Sequence, residues 1–131
     1  GILAAVVLIA INPAERIKES NDTQVRSDIS TYASAIEACF TNVADGTYAQ
    51  CDTNTELTAG GFLKTPPKTT ITPLLKTTAP AGSELKVYAS LQARSAWDDP
   101  AGADCTAAPV YYVYDTTNGS SSVSCTIPTA P

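Results

Sequence analysis

The chain has 131 residues, a length that suits one ordinary domain and is short for two. Thirteen acidic side chains outnumber eight basic ones, which gives a formal net charge of −5, and the lack of a basic cluster argues against a dedicated nucleic-acid binder. Histidine is absent, so no Ser–His or Cys–His catalytic pair exists. The sequence therefore predicts a protein that is not an enzyme.

The sequence opens with an apolar run, Gly1 to Ile11, that contains no charged or hydrogen-bonding side chain. As a helix this run is about 16 Å long, roughly half of the ~30 Å thickness of a bilayer core. Because it is apolar on every side, it has to be buried in lipid or in other protein. We expect it to be the C-terminal half of a longer apolar segment. A signal-peptide core and a helix buried inside its own domain are the alternatives.

Residues 14–44 have the pattern of a long amphipathic helix. Its apolar stripe consists of Val25, Ile29, Tyr32, Ala33, Ile36, Phe40 and Val43. The opposite face is expected to hold Glu15, Arg16, Lys18, Glu19, Asp22, Arg26, Asp28 and Glu37. Pro13 disturbs the preceding turn, although it can also begin a new helix capped by Asn12. We predict one helix over residues 2–44, kinked or loosened up to Pro13, with Gly46 just past its end.

The second half of the chain is predicted to form an irregular loop and a sheet. Prolines and a Gly-Gly pair within residues 46–83 argue against regular elements there. From Glu84 the apolar period becomes two, which predicts strands over 85–94, 110–114 and 123–127. Residues 117–120, Thr-Asn-Gly-Ser, predict a hairpin between the last two strands. The fold class is therefore α+β, a long N-terminal helix packed on a C-terminal antiparallel sheet of three to four strands.

Four cysteines in a Thr/Ser-rich chain are typical of an exported, disulfide-bonded protein. Cys39 lies on the final helical turns and Cys51 follows shortly after Gly46, so a bond between them closes a short loop over the helix end. We favour Cys39–Cys51 together with Cys105–Cys125. Pairing Cys39 with Cys105 or with Cys125 remains open. A zinc site is not expected, because the spacing lacks a Cys-x-x-Cys motif.

Two further sets of residues are candidate sites. Asp98, Asp99 and Asp104 have spacings at which carboxylates can ligate calcium, although a solvated turn explains them equally well. Asn21-Asp22-Thr23 and Asn118-Gly119-Ser120 fit the N-glycosylation pattern, but the pattern alone does not establish a sugar. The sequence predicts no cofactor.

The segment GILAAVVLIAINPAER, Gly1 to Arg16, resembles the N-terminal helix of bacterial type IV pilins, and Ser27 to Glu37 is similar to the continuation of that helix. The likeness covers residues 1–40, and beyond residue 45 only the layout is similar. The resemblance implies a structural subunit of an extracellular filament on the cell surface. Such a subunit is anchored in the inner membrane before the pilus assembly machinery polymerises it with copies of itself.

The resemblance also divides the chain into an assembly segment, residues 1–13, and a globular head, residues 14–131. The residues expected to pack in the filament core are Gly1, Ile2, Leu3, Val6, Val7, Leu8, Ile9, Ile11 and Pro13. The head would form the outer surface, where adhesion, motility or DNA uptake takes place. The alternatives are a pseudopilin of a type II secretion or competence system, and a membrane-tethered binding module.

Overall fold

The computed structural model describes residues 13–43, 45–93, 98–99, 103–106 and 109–131. The helical elements are α1 (Pro13–Asn42), a 3-10 turn (Tyr48–Gln50) and the short α2 (Asn54–Ala59). The strands are β1 (Thr72–Leu75), β2 (Leu85–Leu91), β3 (Asp98–Asp99), β4 (Ala103–Asp104), β5 (Val110–Asp115) and β6 (Ser120–Ser124). The long helix packs on an antiparallel sheet, which confirms the predicted α+β fold.

The main sheet has four antiparallel strands in the order β1-β2-β5-β6, while β3 and β4 form a separate two-stranded ribbon. On β2 the side chains that face α1 alternate with more exposed ones, and the buried set is Leu85, Val87, Ala89 and Leu91. Val87 lies opposite Tyr114 on β5, so the same face continues across the sheet. The apolar face of the sheet and the stripe of α1 together form the core.

Helix α1 buries the stripe that its sequence predicts. Ile29 and Ile36 are fully buried, Tyr32 and Ala33 nearly so, and the remaining stripe residues Val25, Phe40 and Val43 pack partly buried against the same cluster. The helix ends at Asn42, slightly before the predicted end, and Gly46 then adopts a φ of +67° that favours glycine. Residues 2–12 of the predicted helix lie outside the described residues.

The prediction of an irregular loop over residues 46–83 is wrong in two places. Thr53 and Glu56 form a reciprocal capping box, in which each side chain binds the other residue's backbone N–H, and this starts α2. Strand β1 contains Pro73, which a central strand would exclude because proline cannot donate to the ladder. The edge position of β1 leaves one side unpaired and so accommodates it.

All three predicted strands have bounds that differ from those predicted, β5 only by one residue, since it continues to Asp115. β2 ends at Leu91, because the next two backbone amides turn towards a helical carboxylate described below. β6 spans Ser120–Ser124 instead of 123–127, since the hairpin turn is complete at Gly119, whose N–H donates to the Asp115 carbonyl at 2.9 Å. The exposed serines that begin β6 carry little apolar signal, which explains the misplaced prediction.

The two disulfides join Cys39 to Cys51 and Cys105 to Cys125, the favoured pairing, with Cα–Cα distances of 5.8 Å and 5.3 Å. The first bond is buried in the main core cluster and holds the loop after α1 against the helix. Cys105 belongs to a second, smaller cluster beside Val25 and Val110. Each disulfide therefore fastens a different end of the helix–sheet core.

Candidate assembly site

Helix α1 consists of an exposed beginning and a docked remainder. No residue from Pro13 to Asn21 is buried, and the Ile17 side chain remains 63% exposed. The first buried position is Asp22, at 5% exposure, and buried residues recur from there to Cys39. Of the residues expected to pack in a filament core, Pro13 begins α1 and is exposed. The others, Gly1, Ile2, Leu3, Val6, Val7, Leu8, Ile9 and Ile11, lie outside the described residues.

The Asp22 carboxylate attaches the helix to the end of β2. One oxygen, Oδ1, accepts a hydrogen bond from the Gln92 N–H at 2.7 Å, and Oδ2 accepts one from the Ala93 N–H at 2.8 Å. Hydrogen bonds to an ionised acceptor are shorter and stronger than neutral ones. This contact fixes the point at which the exposed turns of α1 end and the docked turns begin.

Two further contacts hold the next turns of α1. The Arg26 guanidinium lies over the Tyr112 ring, with its central carbon 4.8 Å from the ring centroid. The Asp28 carboxylate accepts hydrogen bonds from the Thr69 N–H and the Thr69 hydroxyl. The helix is thus tied to β5 on one side and to the segment before β1 on the other.

A cluster of hydroxyls and one carboxylate holds the C-terminal part of α1. The Glu37 carboxylate accepts hydrogen bonds from the Tyr114 hydroxyl at 3.0 Å and from the Tyr48 hydroxyl at 3.3 Å. Burial, together with the adjacent Glu37 charge, raises the pKa of Tyr114 to about 12 and raises the pKa of Tyr48 as well. Phe40 stacks on Tyr48 with ring centroids 4.2 Å apart. Both tyrosines therefore stay neutral donors to Glu37.

These contacts correct the assignment of all charged residues to the helix face away from the core. Four of the eight contact the head: Asp22, Arg26, Asp28 and Glu37. Asp22 precedes Val25 and Ile29 at helical spacing and so lies on the buried stripe itself. That spacing could have predicted from the sequence that Asp22 faces the head. No local pattern predicts the contacts of Glu37, because its partners Tyr48 and Tyr114 lie in other parts of the chain.

Asp52 and Glu56 form a pair of interacting carboxyl groups beside α2. Burial and the neighbouring Glu56 raise the pKa of Asp52 to about 6. Although burial opposes it, hydrogen bonding to Thr53 and Asp52 lowers the pKa of Glu56. The Asp52 backbone carbonyl accepts a hydrogen bond from the Tyr32 hydroxyl at 2.9 Å, so the pair sits against α1. Neither of these two carboxyls was predicted from the sequence to have a role.

We expect this pair to make stability depend on pH. Because folding raises the pKa of Asp52, the folded state holds the proton more tightly, and that stabilisation is present at low pH and lost as pH rises from about 4 to about 6. Asp52→Asn should flatten this part of a urea-unfolding series between pH 4 and 7. Glu56→Gln, which retains a capping side chain, should flatten it only in part, because burial alone still raises the pKa of Asp52. A wild-type slope that survives both substitutions would contradict the assignment.

The remaining candidate sites are only partly described. Asp98 on β3 pairs with Asp104 on β4, and Asp99 is next to it, but the side chains of all three lie outside the described residues. Among the residues that the structure describes, no group of three acidic, cysteine or histidine side chains could hold a metal. Asn21 lies within α1, and Asn118 lies in the exposed turn before β6.

Comparison with known proteins gave no assignment: no protein-family model, no curated protein and no solved structure matches the chain. In the described part of the chain, no helix has both the length and the apolar character that crossing a membrane requires.

Proposed function

We propose that this chain is the structural subunit of an extracellular type IV pilus-like filament and polymerises through its N-terminal helix. The observation that carries the proposal is the division of α1 into exposed first turns and a docked remainder. The exposed turns follow directly, in sequence, on the apolar run from Gly1 to Ile11. A run that is apolar on every side has to be buried in lipid or in other protein, which supports association through this end of the chain.

The way the head is fastened supports this role. From Asp22 onward, α1 is held by a carboxylate clamp, a cation–π contact, the Glu37 cluster and a disulfide. The first turns contribute no buried residue to the helix–sheet core, and in the proposed filament they pack against copies of the chain. The two disulfides also suit an exported protein. In the proposed filament, residues 1–13 pack in the core and the head faces outward. Before assembly the subunit is anchored in the inner membrane.

The proposal predicts that assembly depends on the first residues of the chain. We expect a variant lacking residues 1–14 to be a soluble, folded monomer, since it retains the docked part of α1 and both disulfides. Electron microscopy of surface filaments, with density traced for this chain, should show the full chain polymerised. Assembly of the shortened variant into filaments would contradict the proposal. Absence of the chain from sheared surface filaments would favour a pseudopilin, and a full-length monomer in detergent would favour a tethered binding module.

The exposed Ile17 side chain provides a second, finer prediction. If it is buried between subunits, Ile17→Ser should raise the critical concentration for assembly about tenfold, as expected for partial loss of one isoleucine's burial. Ile127 is the matched control, because it is equally exposed, at 65% against 63%, but lies in the C-terminal tail. Ile127→Ser should leave the critical concentration unchanged. Equal effects of the two substitutions would contradict a specific role for the first turns of α1.

A further inference from the structure

The strand β6 forms an edge of the main sheet that is open to a partner strand. Within the described residues, β6 pairs only with β5, and its residues Ser120 to Ser122 are exposed. Residues Thr126 to Thr129 line a shallow groove with the outward side chains of β6. Within residues 109–131, no backbone–backbone hydrogen bond joins these tail residues to the strand, although the Ser124 hydroxyl donates to the Thr126 carbonyl at 2.8 Å. The unpaired N–H and C=O groups of such an edge are a template for strand pairing.

The two edges of the sheet differ in their protection. Proteins usually block edge strands with proline, lysine or other charged side chains. β1 contains Pro73, whereas β6 has the sequence Ser-Ser-Ser-Val-Ser with neither proline nor charge. Residues 116–131 contain no charged side chain at all, in a protein whose net charge is −5. The charged side chains that line the groove beside β6 are Lys86 and Asp115, which form an ion pair at 3.5 Å. Two copies therefore approach each other at β6 with little like-charge repulsion.

We infer that β6 docks on β6 of a second copy of this chain, antiparallel and centred on Ser122. Such a contact is isologous, so the central residue must tolerate its own kind: Ser122 meets Ser122 of the second copy at the two-fold axis, while Ser121 meets Val123 and Ser120 meets Ser124. Small uncharged serines meet that requirement and can hydrogen-bond across the strand pair. The inference rests on the proposed function, since the second copy belongs to a neighbouring filament.

The size of the edge explains why the partner is a filament and not a free subunit. Five paired residues extend over about 17 Å, and the contact falls well below the roughly 1,200 Å² of a stable specific interface. A single pair is therefore too weak to hold two monomers together. Along two filaments the same contact recurs wherever subunits face the neighbouring filament, and the linked contacts gain avidity. The expected result is side-by-side bundling of filaments.

The experiment compares two serines on the same outer face of the sheet. Ser122 is on the edge strand β6, and Ser90 is exposed on the inner strand β2. Filaments of the full chain carrying Ser122→Lys, or Ser122→Glu, place like charges opposite each other at the two-fold axis. For each variant, electron microscopy should show that the fraction of total filament length found in bundles is at least tenfold smaller than for the wild type. Mixing the two kinds of filament should restore bundling, because lysine then meets glutamate.

The control filaments carry Ser90→Lys or Ser90→Glu and should bundle as the wild type does. Equal loss of bundling at both positions, unchanged bundling of Ser122→Lys filaments, or failure of the mixed filaments to bundle would each overturn the inference. Unbundled wild-type filaments would overturn it while leaving the proposed function intact. Absence of filaments from the wild-type chain would overturn the proposed function and, with it, this inference.

Discussion

Replacing both Cys39 and Cys51 by alanine is expected to lower the free energy of unfolding by about 3 kcal/mol, the entropic effect of opening a loop of this length in the unfolded chain. Both sulfurs lie in the main core cluster, with Cys39 at 3% and Cys51 at 0% exposure, so lost packing should add to that effect. Urea unfolding monitored by circular dichroism measures the change. Alanine is preferred to serine because it buries no unpaired hydroxyl.

The comparison variant carries Cys105→Ala and Cys125→Ala. Its loop is only somewhat longer, with a sequence separation of 20 against 12, so the entropic loss should be similar. Cys125 is exposed, however, and the packing loss should therefore be smaller. Equal stability of the two double variants would contradict the packing contribution, and an unchanged unfolding midpoint for the Cys39 and Cys51 variant would contradict the whole prediction.

Asp22→Ala should destabilise the protein by about 2–3 kcal/mol. The substitution leaves the Gln92 and Ala93 amides without their acceptor. The buried Ala93 amide should account for most of the loss, since a buried unpaired amide typically costs about 1–3 kcal/mol, whereas Gln92 is exposed to water. Asp22→Asn retains one good acceptor and should lose roughly half as much. Equilibrium unfolding in urea of the two variants at pH 7 measures both values.

Glu19→Ala is the matched control for Asp22, because it removes an acidic side chain one turn earlier on α1. Among the described residues, the Glu19 carboxylate pairs with Arg16 on the exposed part of the helix, at 3.1 Å, and such surface pairs contribute about 0–1 kcal/mol. We expect its loss to be small. If Asp22→Ala proves no more destabilising than Glu19→Ala, the carboxylate is not the clamp that its geometry indicates.

Local patterns in the sequence predicted the main elements of the fold. The helical spacing from Val25 to Val43 identified the buried face of α1, and the alternation after Glu84 identified the strand that packs on it. The Asn-Gly pair correctly located the hairpin between the last two strands. These features depend on residues close together in sequence, so the local pattern of apolar and polar residues is enough to predict them.

What the sequence did not predict depends on contacts between distant residues. β1 is stabilised by pairing with β2 across the intervening loop, which outweighs the unfavourable Pro73. Glu37 was assigned to the exposed face because its charge favours solvent, yet hydroxyls from Tyr48 and Tyr114 reach it once the chain is folded. The Asp52–Glu56 pair is the exception, because Glu56 belongs to a local capping box, Thr53-x-x-Glu56, whose sequence pattern was present and was overlooked. Tertiary contacts overrode local preference at β1 and at Glu37.

The arrangement of the Asp22 and Glu37 contacts has a mechanical consequence. Asp22 binds the end of β2, Arg26 lies over Tyr112, and Glu37 binds Tyr114 further along β5, so α1 runs beside β5 in the same direction. A pull on the first turns of the helix therefore acts along the strands and loads all of these contacts in shear at once. Rupture then requires many contacts to break together, so the head resists tension applied through its N-terminal helix far better than tension that would peel the helix away from one end.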